Sequence, residues 1–256
     1  MRQVVLCIVL LGLRSLYSEP VLLTDDGFVW FSGRCSLVNL KHAAYSAEEI
    51  SEEIHFLKDG TKASSAKPSI RMYRDSEGRT RFETPVVARQ HPETAIGVLV
   101  TIEDPVEGYC YVLDPNEPIA YRTDSRTPPK PVTPQRIRVG NQVQQAPQSN
   151  SQYRPPQVVE EHLGPSFIEG VEVEGERTTI TRDPLATGKA GLFYVHEQWQ
   201  SRELQLTVLS KTSDGKDEVS TRLTNLSRNE PDATLFRVPA NCRIIDQTEE
   251  FRLKFR

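Results

Sequence analysis

The reactive side chains of this sequence stand alone rather than in the sets that catalysis or metal binding requires. His196-Glu197 begins like the zinc-binding motif of metalloproteases, but Gln200 stands where the second histidine would be. Neighbouring residues of a strand also point to opposite faces, which would separate these two side chains. We therefore predict no catalytic role for this pair.

The remaining candidates for chemistry give the same result. Glu103, Asp104 and Glu107 lie close in sequence, but a calcium loop needs Asp or Asn at alternating positions, and the Asp104-Pro105 turn explains them better. The chain has no G-x-S-x-G, P-loop or Rossmann glycine pattern. We predict a non-enzymatic protein without catalytic residues, metal site or cofactor.

The N-terminus indicates export. Arg2 precedes an apolar run of ten residues from Val4 to Leu13, which fits the roughly 7–15 residues of a signal-peptide core and falls short of the roughly 20 of a spanning helix. We predict a signal peptide over residues 1–18, cleaved after Ser15 or Ser18, and a periplasmic or secreted mature chain without a transmembrane span. A buried N-terminal strand or helix is the alternative.

The cysteines and the net charge further narrow the class of protein to which this chain can belong. Cys7 would leave with the signal peptide, and Cys35, Cys110 and Cys242 would remain in an oxidising compartment. They allow at most one intramolecular disulfide, with three pairings, and three buried thiols are the alternative. The formal net charge of −4 and the lack of a basic block argue against nucleic-acid binding.

The predicted fold is organised around the stretch from Leu192 to Pro239. Apolar and polar residues alternate there with a period of two, which is typical of strands with one buried face. The Asp214-Gly215 pair allows a tight reversal of the chain. We predict three antiparallel strands, followed by a segment from Pro231 to Pro239 that closes over one end.

Apolar residues of the first two strands are expected to face one side and to line a ligand site. The predicted lining residues are Phe193, Val195, Trp199, Leu204, Leu206 and Val208. If that side is an open groove, it would suit an apolar or acyl ligand. If it is closed, the same residues form an ordinary core.

Short strands and tight turns fill the rest of the chain. The predicted strands of the first half are Val29–Ser32, Glu52–Leu57, Ile70–Tyr73, Thr80–Thr84, Val98–Glu103, Tyr109–Leu113 and Ile119–Arg122. Lys41 to Ser51 predicts a short turn of helix capped at Ser46, and Ala63 to Pro68 predicts a loop. Gly175 interrupts the next alternating run and predicts a bend or bulge. The tail from Phe251 alternates and predicts a final strand.

A segment from Thr127 to Gln157 separates two halves. It holds seven prolines and seven glutamines in 31 residues, a composition that cannot offset the entropy of ordering. We predict a Pro/Gln-rich linker at 127–157, between a β-meander at 19–126 and an antiparallel half at 158–256. Glu160-Glu161-His162 beside it is expected to be solvated. The fold class is mostly β with little helix, and both halves can build one curved, half-barrel-like sheet.

Two groups of residues resemble known families. The first group consists of Met72–Arg81, Thr101–Pro105 and Tyr111–Pro115. The second consists of Gly170, Val173–Thr179, Glu197, Trp199, Ser201, Glu203-Leu204, Ser210-Lys211, Arg222–Asn225, Glu230–Asp232, Leu235-Phe236 and Val238-Pro239. Together they resemble an uncharacterised family of secreted soil-bacterium proteins of the acidobacterial type. The second group also resembles the closing half of periplasmic lipoprotein carriers.

The carrier resemblance implies an open β half-barrel whose concave apolar face holds acyl chains. It implies a lipid or a lipoprotein as the partner and brings no catalytic residues. The competing hypothesis is a structural or protein-interaction module of the cell envelope, in which the linker or a sheet edge meets an envelope protein and no small molecule binds.

Overall fold

The computed structural model describes residues 20–31, 37, 40–57, 59–126, 156–181 and 193–255. The predicted signal peptide and nearly all of the predicted linker lie outside the described residues. Strands dominate the described part, and its single helical element is a short 3-10 helix at Ala233–Phe236. The predicted fold class, mostly antiparallel β with little helix, is confirmed.

Sixteen strands are numbered in chain order. Those of the first half are β1 Val21–Leu22, β2 Phe28–Phe31, β3 Tyr45–Phe56, β4 Lys62–Ala66, β5 Ile70–Arg74, β6 Thr80–Ala88, β7 His91–Asp104, β8 Tyr109–Leu113 and β9 Ile119–Asp124. Those of the second half are β10 Gln157–Ile168, β11 Val171–Thr181, β12 Phe193–Ser201, β13 Leu206–Ser213, β14 Asp217–Ser227, β15 Arg243–Asp246 and β16 Phe251–Lys254.

One 14-stranded sheet combines both halves. Its main path runs β10-β11-β12-β13-β14-β3-β5-β6-β7-β8-β9-β15, with β4 beside β3 and β1 beside β6. The halves join where β14 pairs antiparallel with β3. β2 and β16 form a separate two-stranded sheet. In the described part of the chain the large sheet is open, with β10 at one end of the path.

Most strands predicted from alternation are present. The three strands of the organising stretch are β12, β13 and β14, and the predicted hairpin is β5–β6. Asp75 is buried in the turn of that hairpin, where its carboxylate accepts the backbone N–H groups of Glu77 and Arg79 and pairs with the Arg79 guanidinium at 2.6 Å. These local signals were sufficient because pattern and turn chemistry agree along the sequence.

Two predictions in the first half were wrong. The predicted turn of helix at Ser46 lies within β3, where Tyr45, Ala47, Glu49 and Ser51 alternate as buried residues. Pairing with β5 on one side and β14 on the other overrides the local helix signal. The predicted loop at Ala63 to Pro68 largely forms β4. Its side chains are all exposed, so no apolar pattern marks a strand that exists because β3 extends far enough to pair with it.

The main hydrophobic core packs against the large sheet and contains residues of both halves. Its buried members are Ala43, Tyr45, Ala47, Ile70, Met72, Phe82, Val171, Val173, Leu204, Val208 and Leu223. A smaller core forms around Val29, Val86, Leu99 and Leu253. Burial of this apolar surface is the main stabilising contribution to such a fold.

Arg74 ties the halves together inside the main core. This buried side chain donates from Nε to the carbonyl of Ala43 at 2.8 Å and from Nη2 to the carbonyl of Leu204 at 2.7 Å. Its guanidinium also lies over the Tyr45 ring, 4.7 Å from the centroid. Burial raises the pKa of the Tyr45 hydroxyl to about 12, so it stays neutral. Arg74 therefore fixes the turn after β12 against β3 and β5.

The structure describes the redox state of two of the three cysteines considered above. Cys110 on β8 is disulfide-bonded, and Cys242 is a free thiol. The free Cys242 excludes the two predicted pairings that include it, and the bonded Cys110 excludes three buried thiols. Cys35 itself lies outside the described residues.

Within the described ranges, no helix has the length and apolar character needed to cross a membrane.

Candidate functional site

The predicted lining residues lie in three different environments. Leu204 and Val208 have no exposed surface and belong to the main core. Trp199 and Leu206 are partly buried and pack against that core. Val195 is half-buried on β12, and the side chain of Phe193 lies outside the described residues. The predicted lining residues therefore range from the closed core to a partly open surface.

The second of the predicted strands begins later than expected. Leu204 lies in the turn formed by residues 202–205, and β13 starts at Leu206. Gln205 has a φ of 50°, which is outside the extended range, so β13 cannot begin before Leu206. Leu204 is buried because its turn folds onto the core, so alternation along a strand does not account for it.

Trp199 is placed by a glycine on the neighbouring strand. Gly175 on β11 is the cross-strand partner of Trp199 on β12. A Cβ atom added to Gly175 would lie 2.6 Å from the Trp199 ring, so the indole lies directly over the glycine backbone. The bend or bulge predicted at Gly175 corresponds to a register shift in the β10–β11 pair, where His162 pairs with Glu176 and Gly164 pairs with Gly175, so the extra residue lies on β10 rather than on β11. Gly175 is needed for close approach of the ring.

Glu197 connects Trp199 to the charged residues of the sheet. Its Oε1 accepts the Trp199 Nε1–H at 2.8 Å, and its Oε2 accepts the Arg177 Nη2–H at 2.8 Å. The hydrogen bond from Trp199, followed by that from Arg177, lowers the pKa of the Glu197 carboxyl below its usual value. Glu197 therefore stays ionised and holds the indole in one orientation.

A row of alternating charges crosses four strands at the level of Glu197. The register aligns Glu161 on β10 with Arg177 on β11, Arg177 with Glu197 on β12, and Glu197 with Lys211 on β13. Arg177 Nη1 also lies 3.7 Å from the Glu161 carboxylate. Val195 and Trp199 lie on either side of Glu197 along β12, so this row interrupts the apolar surface that the sequence predicts.

A pocket lies at the β12–β13 turn. Its volume is about 190 Å³, and it is lined by Gln200, Ser201, Arg202, Gln205, Leu206 and Thr207. Leu206 is the one predicted lining residue that borders it. The five other lining side chains are polar. The pocket is small compared with the roughly 300–1,000 Å³ of typical ligand pockets.

The rejected catalytic pair is separated as expected. His196 Nδ1 lies 3.1 Å from the Thr212 hydroxyl and Nε2 lies 3.3 Å from Gln198 Oε1, whereas Glu197 bonds to Trp199 and Arg177. Asp104 accepts the backbone N–H groups of Val106 and Glu107 in its turn. No cluster of three or more His, Cys, Asp or Glu residues with metal-binding geometry occurs among the described residues.

The first strand of the second half forms an unpaired sheet edge. β10 pairs with β11 along its length, and no described strand pairs with its other side. Val158, Val159 and Phe167 on this strand are 52%, 43% and 75% exposed. A row of free backbone N–H and C=O groups next to exposed apolar side chains is the usual template for adding another strand.

The outer face beside this edge is acidic. Glu172, Glu174 and Glu176 on β11 are exposed, while the alternate residues Val171, Val173 and Gly175 are buried. Glu160 on β10 shares the outer face through its pairing with Thr178, two residues from Glu176. Arg202 pairs with Glu174, and His162 lies 3.8 Å from Glu176. Carboxylates thus outnumber cations on this face, which we call the acidic outer face.

Sequence reasoning missed the residues that define this region. It predicted Trp199 as a lining residue but gave Glu197, Arg177 and Gly175 no role in positioning it, although a glycine within an alternating strand does signal close approach of another group. It described Glu160-Glu161-His162 as solvated, and all three are exposed. It did not place them on an unpaired edge, because strand order depends on pairings between distant parts of the chain.

Comparison with solved structures finds distant likeness. No protein-family model matches the sequence, and no curated protein matches it. The lipoprotein LppX from Mycobacterium tuberculosis is 9% identical, with 73% of this chain and 88% of that chain covered and a TM-score of 0.29. LprF from Mycobacterium bovis is 10% identical, with 79% and 91% covered and a TM-score of 0.30.

A LolA superfamily protein from Nitrosomonas europaea is 6% identical, with 78% of this chain and 92% of that chain covered and a TM-score of 0.28. Such scores are too low to carry an argument about ligand or partner. The resemblance to secreted soil-bacterium proteins stays a prediction.

Proposed function

We propose that this chain is an exported, non-enzymatic binding module that meets a protein partner through the β10 edge of its sheet. The observation that supports this function is the 12-residue edge strand with free backbone groups and exposed valines. Strand addition uses main-chain hydrogen bonds for affinity and alternate side chains for specificity. The proposal corresponds to the interaction-module hypothesis rather than to the acyl-carrier hypothesis.

The geometry near the predicted lining residues favours this choice. Leu204 and Val208 are closed off in the core, and Glu197 stands between Val195 and Trp199 with Arg177 and Lys211 as its cross-strand neighbours. An acyl chain laid along β12 would cover these charges and remove them from water, which is costly unless each stays paired.

Adjacent proline substitutions on β10 test the proposal. Neighbouring residues of a strand direct their N–H groups to opposite sides, so Val158→Pro and Val159→Pro differ in which side loses a donor. We expect one variant to disturb the β10–β11 pairing and the other to keep the melting temperature while losing strand addition. Ten-residue peptides selected from a random library on the purified chain provide the probe.

The stable proline variant should bind the selected peptides at least about tenfold more weakly than the parent chain. Of the two series of peptides N-methylated at every second residue, the one that lacks the donors facing β10 should fail to bind, and the other should still bind. Undiminished binding by the stable proline variant would contradict edge docking, and so would failure of the library to yield any binder.

A small apolar ligand at the β12–β13 pocket is the second candidate. Leu206 borders that pocket, and the partly buried Trp199 packs against the same core. Lauric acid added to a Trp30→Phe variant would then shift Trp199 emission to the blue and raise the melting temperature, since a ligand of the folded state stabilises it. Leu206→Ala should weaken that response. No change in either signal would reject this candidate.

Export is tested separately on the intact cell. The motivation is Arg2 followed by the apolar run from Val4 to Leu13. The mature protein should begin between Ser15 and Val21, as read by N-terminal sequencing of the envelope fraction. An intact Met1 in that fraction would contradict cleavage.

A further inference from the structure

The β10 edge is usable over only part of its length. Gly164 has a φ of 82°, and the register with β11 shifts between His162 and Gly164. Pro165, the next residue, has no N–H group to donate. Both features hinder regular pairing of the second half of β10. The regular part of the edge is therefore Gln157 to His162, about 20 Å at roughly 3.4 Å per residue.

The side chains along this part follow a specific order. Val158 and Val159 come first, and Glu160 and Glu161 follow. Each pair places one member on each face of the sheet, because successive side chains alternate. A guest strand would have its own side chains about 4.5–5.5 Å from these residues, at which distance opposite charges attract and like charges repel. Along the edge, a pair of apolar residues is thus followed by a pair of acidic residues, and each face of the sheet carries one member of each pair.

The charges near the edge are unevenly compensated. Glu160 has no ion pair within the described part of the chain and lies on the acidic outer face with Glu174 and Glu176. On the other face, Arg177 approaches Glu161 at 3.7 Å but is held by Glu197 at 2.8 Å. A cationic guest would gain attraction on the outer face and meet only the partly neutralised Glu161 on the inner face.

We infer that the partner segment of the β10 edge is an extended strand in which two adjacent cationic residues lie next to two adjacent apolar residues. This inference rests on the proposed function and adds the chemistry of the guest. The cations stand opposite Glu160 and Glu161, and the apolar residues stand opposite Val158 and Val159. In an antiparallel guest the cationic pair comes first, and in a parallel guest it comes second.

A second copy of this chain fits the edge less well. Antiparallel pairing of two copies over the whole of Gln157 to His162 would place Glu160 opposite Val159 and Glu161 opposite Val158. If the register is shifted by two residues toward the C-terminal end of β10, Glu160 lies opposite Glu161. The first arrangement desolvates carboxylates against apolar side chains, and the second sets like charges face to face.

Peptides of matched composition test the inference. Fluorescence anisotropy would compare four labelled ten-residue peptides in a Ser/Thr framework: two lysines followed by two valines, the reverse order, lysines and valines alternating, and glutamates in place of the lysines. The full chain and its Glu160→Gln/Glu161→Gln variant would be titrated with each. Glu52→Gln is the matched control, since that exposed glutamate lies on β3, away from the edge.

One of the two adjacent-pair peptides should bind at least about tenfold more tightly than the glutamate peptide. That preference should shrink when salt rises from about 0.05 to about 0.5 M, because exposed charges are screened. It should be lost in the double variant and kept in Glu52→Gln. The alternating peptide should bind more weakly, because it cannot place two cations opposite Glu160 and Glu161.

Failure of the inference differs from failure of the proposed function. Equal binding of lysine and glutamate peptides, or binding of other library peptides alone, would overturn the cationic partner and leave edge docking in place. If peptides bind only after removal of residues 130–152, the chain's own segment covers the edge, and both proposals are overturned. Concentration-dependent dimerisation blocked by the stable proline variant would assign the edge to a second copy.

Discussion

At the scale of single residues, Glu197 joins the two interactions that orient Trp199. Its side chain is only 20% exposed, and its carboxylate accepts from both the indole and the Arg177 guanidinium. These donors lower the pKa of Glu197 in the folded state. A group with a lowered folded-state pKa stabilises the fold above its ordinary pKa, and the contribution is lost as pH falls through the lowered value.

Glu197→Gln should therefore reduce the free energy of unfolding by about 1–2 kcal/mol at neutral pH. The difference from the parent should vanish in acid, where the parent's Glu197 is also uncharged. Urea unfolding at neutral pH and well below the ordinary carboxyl pKa measures both values. Glu161→Gln is the matched control in the same charged row, and its half-exposed carboxylate should contribute less than about 0.5 kcal/mol. An acid-independent loss would contradict the charge-based reason.

Gly175 is the second residue whose identity the site requires. Gly175→Ala would bring a Cβ atom within 2.6 Å of the Trp199 ring, and overpacking of this kind costs about 1–3 kcal/mol. The ring cannot turn aside without losing its bond to Glu197. In a Trp199→Ala background the same substitution should cost nothing, as measured by a thermal double-mutant cycle. An equal cost in both backgrounds would point to the backbone instead.

At the scale of elements, the β12–β13 hairpin changes from closed core to open surface within three residues. Leu204 is fully buried in the turn and its carbonyl accepts from Arg74, whereas Leu206 is partly buried and borders the pocket. The hairpin thus anchors the second half of the sheet at Leu204 and is open to solvent at Leu206.

The same leucine-to-alanine substitution at these two positions distinguishes their environments. Leu204→Ala should reduce the free energy of unfolding by about 2–5 kcal/mol, because it removes fully buried methyl groups and leaves a cavity. Leu206→Ala should cost less, since its side chain already borders open space. Chemical unfolding of both variants gives the comparison. A cost for Leu206→Ala equal to that of Leu204→Ala would place both residues in the core.

At the scale of the whole molecule, one continuous sheet contains strands of both halves. β14 pairs with β3, and the parallel pairing of β15 with β9 returns the C-terminal region to the first half. The first half alone would lack the strand that covers one side of β3. Cooperative unfolding of both halves follows from such shared pairing.

The disulfide should add to this stability. Cys110 is bonded and Cys242 is free, so we predict Cys35 as the partner in a mature chain that has lost Cys7 with the signal peptide. Peptide mapping without reductant should find the Cys35–Cys110 link, and iodoacetamide should modify Cys242 alone. Loss of the link in Cys110→Ser should cost about 2–4 kcal/mol, while Cys242→Ser should have little effect. A mapped link to Cys242 would contradict the assignment.

Much of the fold could be predicted from the sequence, because its signals are local. The β5–β6 hairpin, the β7–β9 meander and the β12–β14 strands each combine alternation with a turn residue nearby in the chain. Side-chain alternation depends only on the geometry of a strand. The class of fold and most of its strands follow from that geometry alone.

Tertiary structure decided what local patterns do not contain. β3 is a strand because β5 and β14 pair with its two sides, and β4 exists because β3 offers it a partner. Gly175 serves Trp199 because β11 and β12 bring them together. The order of strands leaves β10 at an edge, and the same sequence would be an ordinary inner strand elsewhere. Pairing between distant segments sets these properties, so only the folded chain determines which backbone groups remain open to a partner.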